Sequence, residues 1–239
     1  MEWAIGRVRY HDAMRTRSSA RRRSAVALAA FVLAAAVVLT AWQPPADDIP
    51  FDELYRRGSA INADLKTLTA RFAETTTSSL LTGPLEASGT LAVERPSRVV
   101  LHYEEPEPRD VLIDGDRLTV SWPGRGIRDV TNISAANRRI QRYFVESTPN
   151  ELRESFDIVS GASDRPGTHL LTLVPRRSQI REGLSRLELW LDQYTLLLSA
   201  MRMTFPGGDT KLMVLDGVQV NRPLDPAVFI VMPLPAPAR

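Results

Sequence analysis

The stretch that decides the fold runs from Gly89 to Pro106 and has the sequence GTLAVERPSRVVLHYEEP. Apolar and polar residues alternate up to Arg95-Pro96, and a second alternating stretch begins directly after the proline. Alternation with a period of two is typical of a strand that has one apolar face. A tight hairpin usually has Asn-Gly or Asp-Gly at its corner, so an arginine and a proline at this corner need an explanation.

The segments on either side of this stretch continue as predicted strands. Upstream, LKTLTARFAETTT (65–77) is rich in threonine, which favours β-structure. Downstream, DVLIDGDRLTVSW (110–122) is typical of a hairpin that turns at Asp-Gly. Beyond Phe156 the predicted strands are HLLTLVP, SRLELWLD, TLLLSAMRMTF, TKLMVLDGVQV and PAVFIVMP. We count about ten strands, and such a run with few helices favours a sandwich or a barrel.

Two or three helices complete the predicted fold. Apolar residues of 51–64 recur on one helical face. Residues 134–147, SAANRRIQRYFVES, form a second helical candidate with Ser134 as N-cap. TPNELRESF (148–156) predicts a further helix.

The composition is that of a globular protein. Apolar residues make up 44% and charged residues 24% of the 239 residues, which excludes a disordered chain. The absence of cysteine excludes disulfide bonds, thiolate metal sites and a cysteine nucleophile. The net charge is +2, but residues 1–24 hold seven arginines against two acidic residues, so the remainder carries −3. Nucleic-acid binding by the folded part is therefore not indicated.

The N-terminal residues have the pattern of an export or anchoring signal. Three arginines at 21–23 precede an apolar run of 18 residues, 25–42, that is interrupted only by Thr40. A basic segment before an apolar run is typical of a secretory signal, and this run also reaches the lower limit for a membrane span. Cleavage and retention as an anchor both stay open, as does a start at Met14. In either case we expect the folded part to lie outside the cytoplasmic membrane, and to be held at that membrane if residues 25–42 are retained.

The motifs of common enzyme and metal sites are absent from the sequence. It contains no H-E-x-x-H, G-x-S-x-G or P-loop motif. His102 and His169 are 67 residues apart on two predicted strands, and we interpret them as exposed strand histidines. We therefore expect no catalytic residues, no metal and no cofactor. What remains is apolar surface, which is either packed core or the wall of a cavity that could hold an apolar ligand.

The stretch around Arg95-Pro96 carries an ordered set of residues that resembles a known family. In order, they are Gly89, Leu91, Arg95, Pro96, Tyr103, Pro106, Asp114, Gly115, Leu118 and Pro123. This order is similar to the central segment of the LolA-type periplasmic carriers for outer-membrane lipoproteins. The C-terminal DPAVFIV and the helix before ARFAET also fit, so the resemblance runs from about residue 51 to 231.

The resemblance implies a mainly β fold with an α-helical lid. The expected architecture is an unclosed antiparallel β-barrel of about 10–11 strands that encloses a hydrophobic cavity covered by helices. The expected parts are a signal peptide or N-terminal membrane anchor (1–42), a linker (43–50), a LolA-like carrier domain (51–232) and a C-terminal tail (233–239).

The resemblance also offers an explanation for the arginine and proline at the corner. The family's functional arginine maps to Arg95, which implies that Arg95 stabilises a closed lid and is needed to hand the cargo on. Pro96 ends strand pairing because it has no N–H, and the guanidinium can then meet carbonyl groups at a helix end.

The expected lipid cavity uses the apolar faces of the predicted strands. Its wall is predicted to consist of Leu91, Val93, Val99, Leu101, Tyr103, Val111, Ile113, Leu118, Val120, Leu187, Leu189, Met201 and Met203. The lid helix is predicted to contribute Ile140, Tyr143 and Phe144.

Three functions of different classes follow from these expectations. The first is a monomeric periplasmic carrier that binds acyl chains of lipoproteins, or a related lipid, and moves them from the inner towards the outer membrane. By resemblance, its partners are an inner-membrane donor complex and an outer-membrane acceptor. The alternative is a membrane-tethered regulatory or assembly factor with the same fold and no lipid cargo. The third, an exported hydrolase, lacks a nucleophile–base motif.

Overall fold

A computed structural model describes residues 49–133 and 148–234 of the chain. Three α-helices lie in these ranges: α1 (Phe51–Ile61), α2 (Pro149–Ser155) and α3 (Ser178–Arg181). The strands are β1 (Thr67–Thr77), β2 (Leu85–Glu94), β3 (Arg98–Glu105), β4 (Arg109–Asp114), β5 (Arg117–Trp122), β6 (Ile127–Asn132), β7 (Phe156–Gly161), β8 (Thr168–Pro175), β9 (Arg186–Asp192), β10 (Leu198–Thr204) and β11 (Thr210–Val220). Short 3₁₀ helices occupy Pro123–Arg125 and Pro226–Phe229.

The eleven strands form one antiparallel sheet in the order β6-β5-β4-β3-β2-β1-β11-β10-β9-β8-β7. The first and last strands of the chain are neighbours at its centre, so two meanders, β1–β6 and β7–β11, meet there. β6 and β7 are the two edges, and the sheet is an unclosed barrel. The predicted fold class, mainly β with an open barrel and helices over one face, is confirmed.

One face of the sheet, which we call the front face, carries the apolar residues that are in phase with Leu91 and Leu101. Over the C-terminal meander this face is covered by two of the helices. Phe51 and Leu54 of α1 and Leu152 of α2 form a buried cluster with residues of β7, β8 and β9. Phe156, in that cluster, is fully buried. Helices therefore cover this half of the front face.

The opposite side, the back face, is covered by the segment that follows β11. Phe229, 5% exposed, packs there against Ala92 and Val100. The Arg98 guanidinium lies 4.0 Å from the centre of the Phe229 ring, within range of a cation–π interaction. We call residues 224–232 the back strap.

Polar contacts fix the back strap to β3 and β4. Asp110 is fully buried, and its carboxylate accepts a hydrogen bond from the Met232 N–H at 2.6 Å. Its other oxygen lies 2.7 Å from Nδ1 of His102, whose Nε2 is 2.7 Å from the Val228 carbonyl oxygen. Both ring nitrogens therefore lie against oxygen acceptors, and His102 links the buried carboxylate of Asp110 to the back strap.

Most predicted elements are found, and the differences have local causes. The PAVFIVMP segment, predicted as a strand, is instead a 3₁₀ turn, because Asp225 caps it by accepting from the Ala227 N–H at 2.9 Å. Strand β6 was not predicted, since all six of its residues are exposed and it shows no apolar face. The helix in TPNELRESF is present, with a capping box between Thr148 and Glu151. The predicted helix 134–147 lies outside the described residues.

No helix within 49–133 and 148–234 has the length and apolarity needed to cross a membrane.

Candidate functional site

All thirteen predicted cavity residues lie on the front face. In antiparallel sheets, directly paired residues point to the same side, so the register assigns the faces. Leu91 pairs with Leu101, Leu101 with Val111, and Val111 with Val120. In the other meander, Met201 pairs with Leu189 and Met203 with Leu187. The remaining members are Val93, Val99, Tyr103, Ile113 and Leu118, which follow the same register.

The front face of β2–β5 is less covered than its back face. Eight predicted cavity residues of these strands are only partly buried: Leu91, Val93, Val99, Leu101, Val111, Ile113, Leu118 and Val120. On the back of the same strands, Ala92 is 3% and Val100 0% exposed. This partly exposed apolar face is the candidate site for an apolar ligand or another surface.

The Arg95-Pro96 corner lies at one end of this face, where the β4–β5 turn also lies. The Gly115 N–H of that turn donates to the Ser97 carbonyl at 3.0 Å. Arg95 is exposed, its N–H donates to the Lys66 carbonyl at 2.8 Å, and its guanidinium contacts no partner within the described ranges. The chain enters residues 134–147 from the same end, because the Ile133 N–H donates to the Asp116 carbonyl. The predicted lid residues Ile140, Tyr143 and Phe144 lie outside the described residues, so the lid contact of Arg95 stays a prediction.

A polar group interrupts the front face at its opposite end. Glu74 is 4% exposed, and it accepts hydrogen bonds from the Tyr103 hydroxyl at 2.9 Å and from Lys211 Nζ at 2.8 Å. Burial, and next the Glu74 carboxylate, raise the pKa of Tyr103 to about 12, so the phenol stays a donor at neutral pH. The Phe72 ring packs edge-on against Tyr103 at 4.9 Å between centroids.

Sequence reasoning missed this polar group. The sequence did contain an indication of it, because Glu74 is in phase with the apolar Phe72 of its strand and Lys211 is in phase with Met213. A charged residue in an apolar phase indicates a buried pair or a polar site. The partner of Glu74, Lys211, is 137 residues away in the sequence, and the two side chains meet only because β1 pairs with β11.

The two strand histidines lie far apart on the sheet and differ in burial. His102 is on the back of β3, whereas His169 of β8 is on the front face opposite Leu191 and is 6% exposed. The prediction that both are exposed is therefore wrong, because His169 is buried beside the helix-covered half. Within 49–133 and 148–234, no three His, Cys, Asp or Glu side chains are grouped to hold a metal ion.

Comparisons with known proteins identify the family. The sequence model of the outer membrane lipoprotein carrier protein LolA matches residues 63–231. An outer-membrane lipoprotein carrier protein of Pseudomonas entomophila is 27% identical over 171 residues, which are 69% of this chain and 76% of that protein.

Solved structures show distant likenesses. The Mycobacterium tuberculosis lipoprotein LppX is 15% identical, with a TM-score of 0.44 over 72% of this chain and 96% of that one. The complex of MucA and MucB of Pseudomonas aeruginosa contains a chain that is 14% identical, with a TM-score of 0.45 over 75% of this chain and 60% of that one.

The family match covers well over half of the chain, from before β1 to beyond Phe229. It includes every strand of the open barrel and both ends of its front face. The chain belongs to the LolA family of outer membrane lipoprotein carrier proteins.

Proposed function

We propose that this protein is a periplasmic carrier that binds acyl chains of lipoproteins, or of a related lipid, against the front face. It moves them from the inner towards the outer membrane, between a donor complex and an acceptor. One observation carries the proposal: four consecutive strands leave large apolar side chains partly exposed on the front face, while the back strap closes the other face.

The energetics of such a site suit transport. Burying 14 to 16 methylene groups at ~0.8 kcal/mol each gives roughly 11–13 kcal/mol before costs. Loss of motional freedom offsets much of this value, so that cargo can leave again. Met201 and Met203, on β10, pack at the helix-covered cluster, and their flexible side chains would let that half of the face adapt to acyl chains of different shape.

The proposed function also assigns a role to each segment of the chain. Residues 1–42 act as a signal peptide or membrane anchor, 43–50 as a linker, 51–232 as the carrier domain and 233–239 as a tail. The carrier works as a monomer without a cofactor, and its domain carries no chemistry of its own.

The first prediction concerns bound lipid. Protein exported from the full chain in a bacterial host should carry stoichiometric acyl lipid, measured by mass spectrometry of its organic extract. Leu101→Glu should lose this lipid, because it places a carboxylate in the partly buried centre of the front face. Ala73→Glu is the matched control, since Ala73 is exposed on the back of β1. Lipid-free wild-type protein that also takes up no fluorescent fatty acid would favour the tethered factor without cargo.

The second prediction concerns release. Arg95→Leu should leave the fold intact, because Arg95 is exposed and its side chain has no partner within the described ranges. It should slow cargo transfer to acceptor membranes at least about tenfold, since one charge-assisted hydrogen bond contributes ~1.5–3 kcal/mol and ~1.4 kcal/mol corresponds to a factor of ten. Stopped-flow transfer of a fluorescent lipid measures this rate. Arg117→Leu, an exposed arginine at the same end of the sheet, is the control. Unchanged transfer by Arg95→Leu would remove Arg95 from the mechanism.

A further inference from the structure

A cavity of about 390 Å³ lies at the end of the front face opposite to the Arg95-Pro96 corner. It is bordered by residues of β1–β5 and β11, and by the Pro106 turn. Its lining mixes apolar residues, such as Leu85 and Ala87, with charged ones. It adjoins the apolar face, because Leu101 and Val111 pack against the cluster that contains Tyr103.

Two carboxylates in the lining are already neutralised. One oxygen of Glu74 accepts from Tyr103 and the other from Lys211. Glu107 holds Arg125 in a two-pronged pair, with Nε of the arginine at 2.9 Å from one oxygen and Nη2 against the other. The hydrogen bonds from Arg125 hold the pKa of Glu107 below its usual range, and the charge of Arg109 adds to this effect. A further carboxylate of the lining, Glu105, is exposed at the turn.

Arg109 differs from the other two cations of the lining. It pairs with Tyr103 in the register and therefore lies on the front face. Its guanidinium lies 3.8 Å from the centre of the Tyr103 ring and 5.9 Å from that of Trp122. It forms no ion pair with a carboxylate of residues 49–133 or 148–234, and its buried Nε lacks a hydrogen-bond partner there. The rings of Tyr103 and Trp122 hold the planar guanidinium in place, and N–H groups of that guanidinium remain to donate to a ligand.

We propose that this cavity binds the phosphodiester headgroup of a diacyl lipid, with Arg109 donating to the phosphate oxygens. The inference rests on the proposed carrier function, because the acyl chains would lie along the adjoining apolar face. Arg109 is the cation of the described lining that forms no ion pair, so it can take up one negative charge of a ligand, and its fork geometry suits two phosphate oxygens. The volume of about 390 Å³ accommodates a phosphate with a small substituent.

The test compares two lipids with identical acyl chains, phosphatidylglycerol and diacylglycerol, in equilibrium binding to the exported full-chain protein after lipid removal. Wild-type protein should bind phosphatidylglycerol more tightly. Arg109→Gln should weaken phosphatidylglycerol binding about tenfold and change diacylglycerol binding less than about twofold. Arg109→Lys, which keeps the charge, should recover part of the loss. Arg117→Gln is the matched control, because Arg117 is exposed at the opposite end of the sheet and lies outside the cavity lining, and it should leave the preference unchanged.

Several outcomes would overturn the assignment. If Arg109→Gln weakened the binding of both lipids equally and left the circular dichroism spectrum unchanged, Arg109 would support only the apolar wall. No weakening of either lipid would remove Arg109 from binding. Inorganic phosphate alone that binds as tightly as phosphatidylglycerol would assign the cavity to free phosphate. Wild-type protein that binds both lipids equally would refute the headgroup site and keep the carrier, whereas wild-type protein that binds neither would refute both.

Discussion

Gly89→Ala is expected to lower the free energy of unfolding by about 4 kcal/mol, at the upper end of single-residue effects. A Cβ atom at this position would lie 1.9 Å from the His102 carbonyl oxygen and 2.9 Å from the Tyr103 Cα. Both are backbone atoms of β3, so no side-chain rotation can relieve the contact. The strands would have to separate where their register already shifts, between Ser88 and Gly89.

Urea denaturation followed by circular dichroism measures this effect through the transition midpoint. Gly161→Ala is the matched control, because Gly161 also lies in a strand, β7, and an added Cβ there would have no atom within 4 Å. It should change stability by less than about 0.5 kcal/mol. A loss below about 1 kcal/mol for Gly89→Ala would mean that β2 and β3 separate easily, and the close approach would then not explain this glycine.

The apolar face could be predicted from the sequence because strand periodicity is a local property. Alternation in LAVE, VVLHY and LELWL assigns each side chain to one of two faces without knowledge of the partner strand. The register then aligned these local faces, and all thirteen predicted residues lie on the same side. Whether a face is open or covered depends on other segments, and the sequence left this point undecided.

The segments that were missed obtain their structure from neighbours. Strand β6, IRDVTN, pairs along its whole length with β5, although all its side chains are exposed. The back strap contains apolar residues at strand-like spacing, but Pro226 cannot donate a backbone hydrogen bond and Asp225 caps a turn. Phe229 is then buried against β2 and β3 without strand pairing.

The polar end of the front face could not be assembled from the sequence. Glu74 and Lys211 meet only because the first and last strands are neighbours. Arg109 became notable only once the partners of the surrounding carboxylates were known. A site of this kind is recognised by a charged side chain that has no ion-pair partner. Finding it requires the distances between side chains on strands that are far apart in the sequence.

Asp110→Ala is expected to detach the back strap and to lower the free energy of unfolding by about 3 kcal/mol. The substitution removes the acceptor of the Met232 N–H and the partner of His102 Nδ1, both in a region where Asp110 is fully buried. His102, with 22% of its side chain exposed, can regain water, which keeps the cost at the lower end for a broken buried pair. Hydrogen exchange followed by mass spectrometry should show loss of protection at Val228–Met232.

Asp114→Ala separates this effect from a general loss of charge on β4. Asp114 lies on the same back face, but it is 57% exposed and 3.9 Å from Arg98, so its removal should cost less than about 1 kcal/mol. In the Asp114→Ala variant, the backbone amides of the back strap should stay protected from hydrogen exchange, because the packing of Phe229 and the contacts of Asp110 remain. If Asp110→Ala kept the protection of Val228–Met232, apolar packing of Phe229 alone would hold the strap. Loss of protection without loss of lipid would show that the back strap stabilises the sheet independently of the front face.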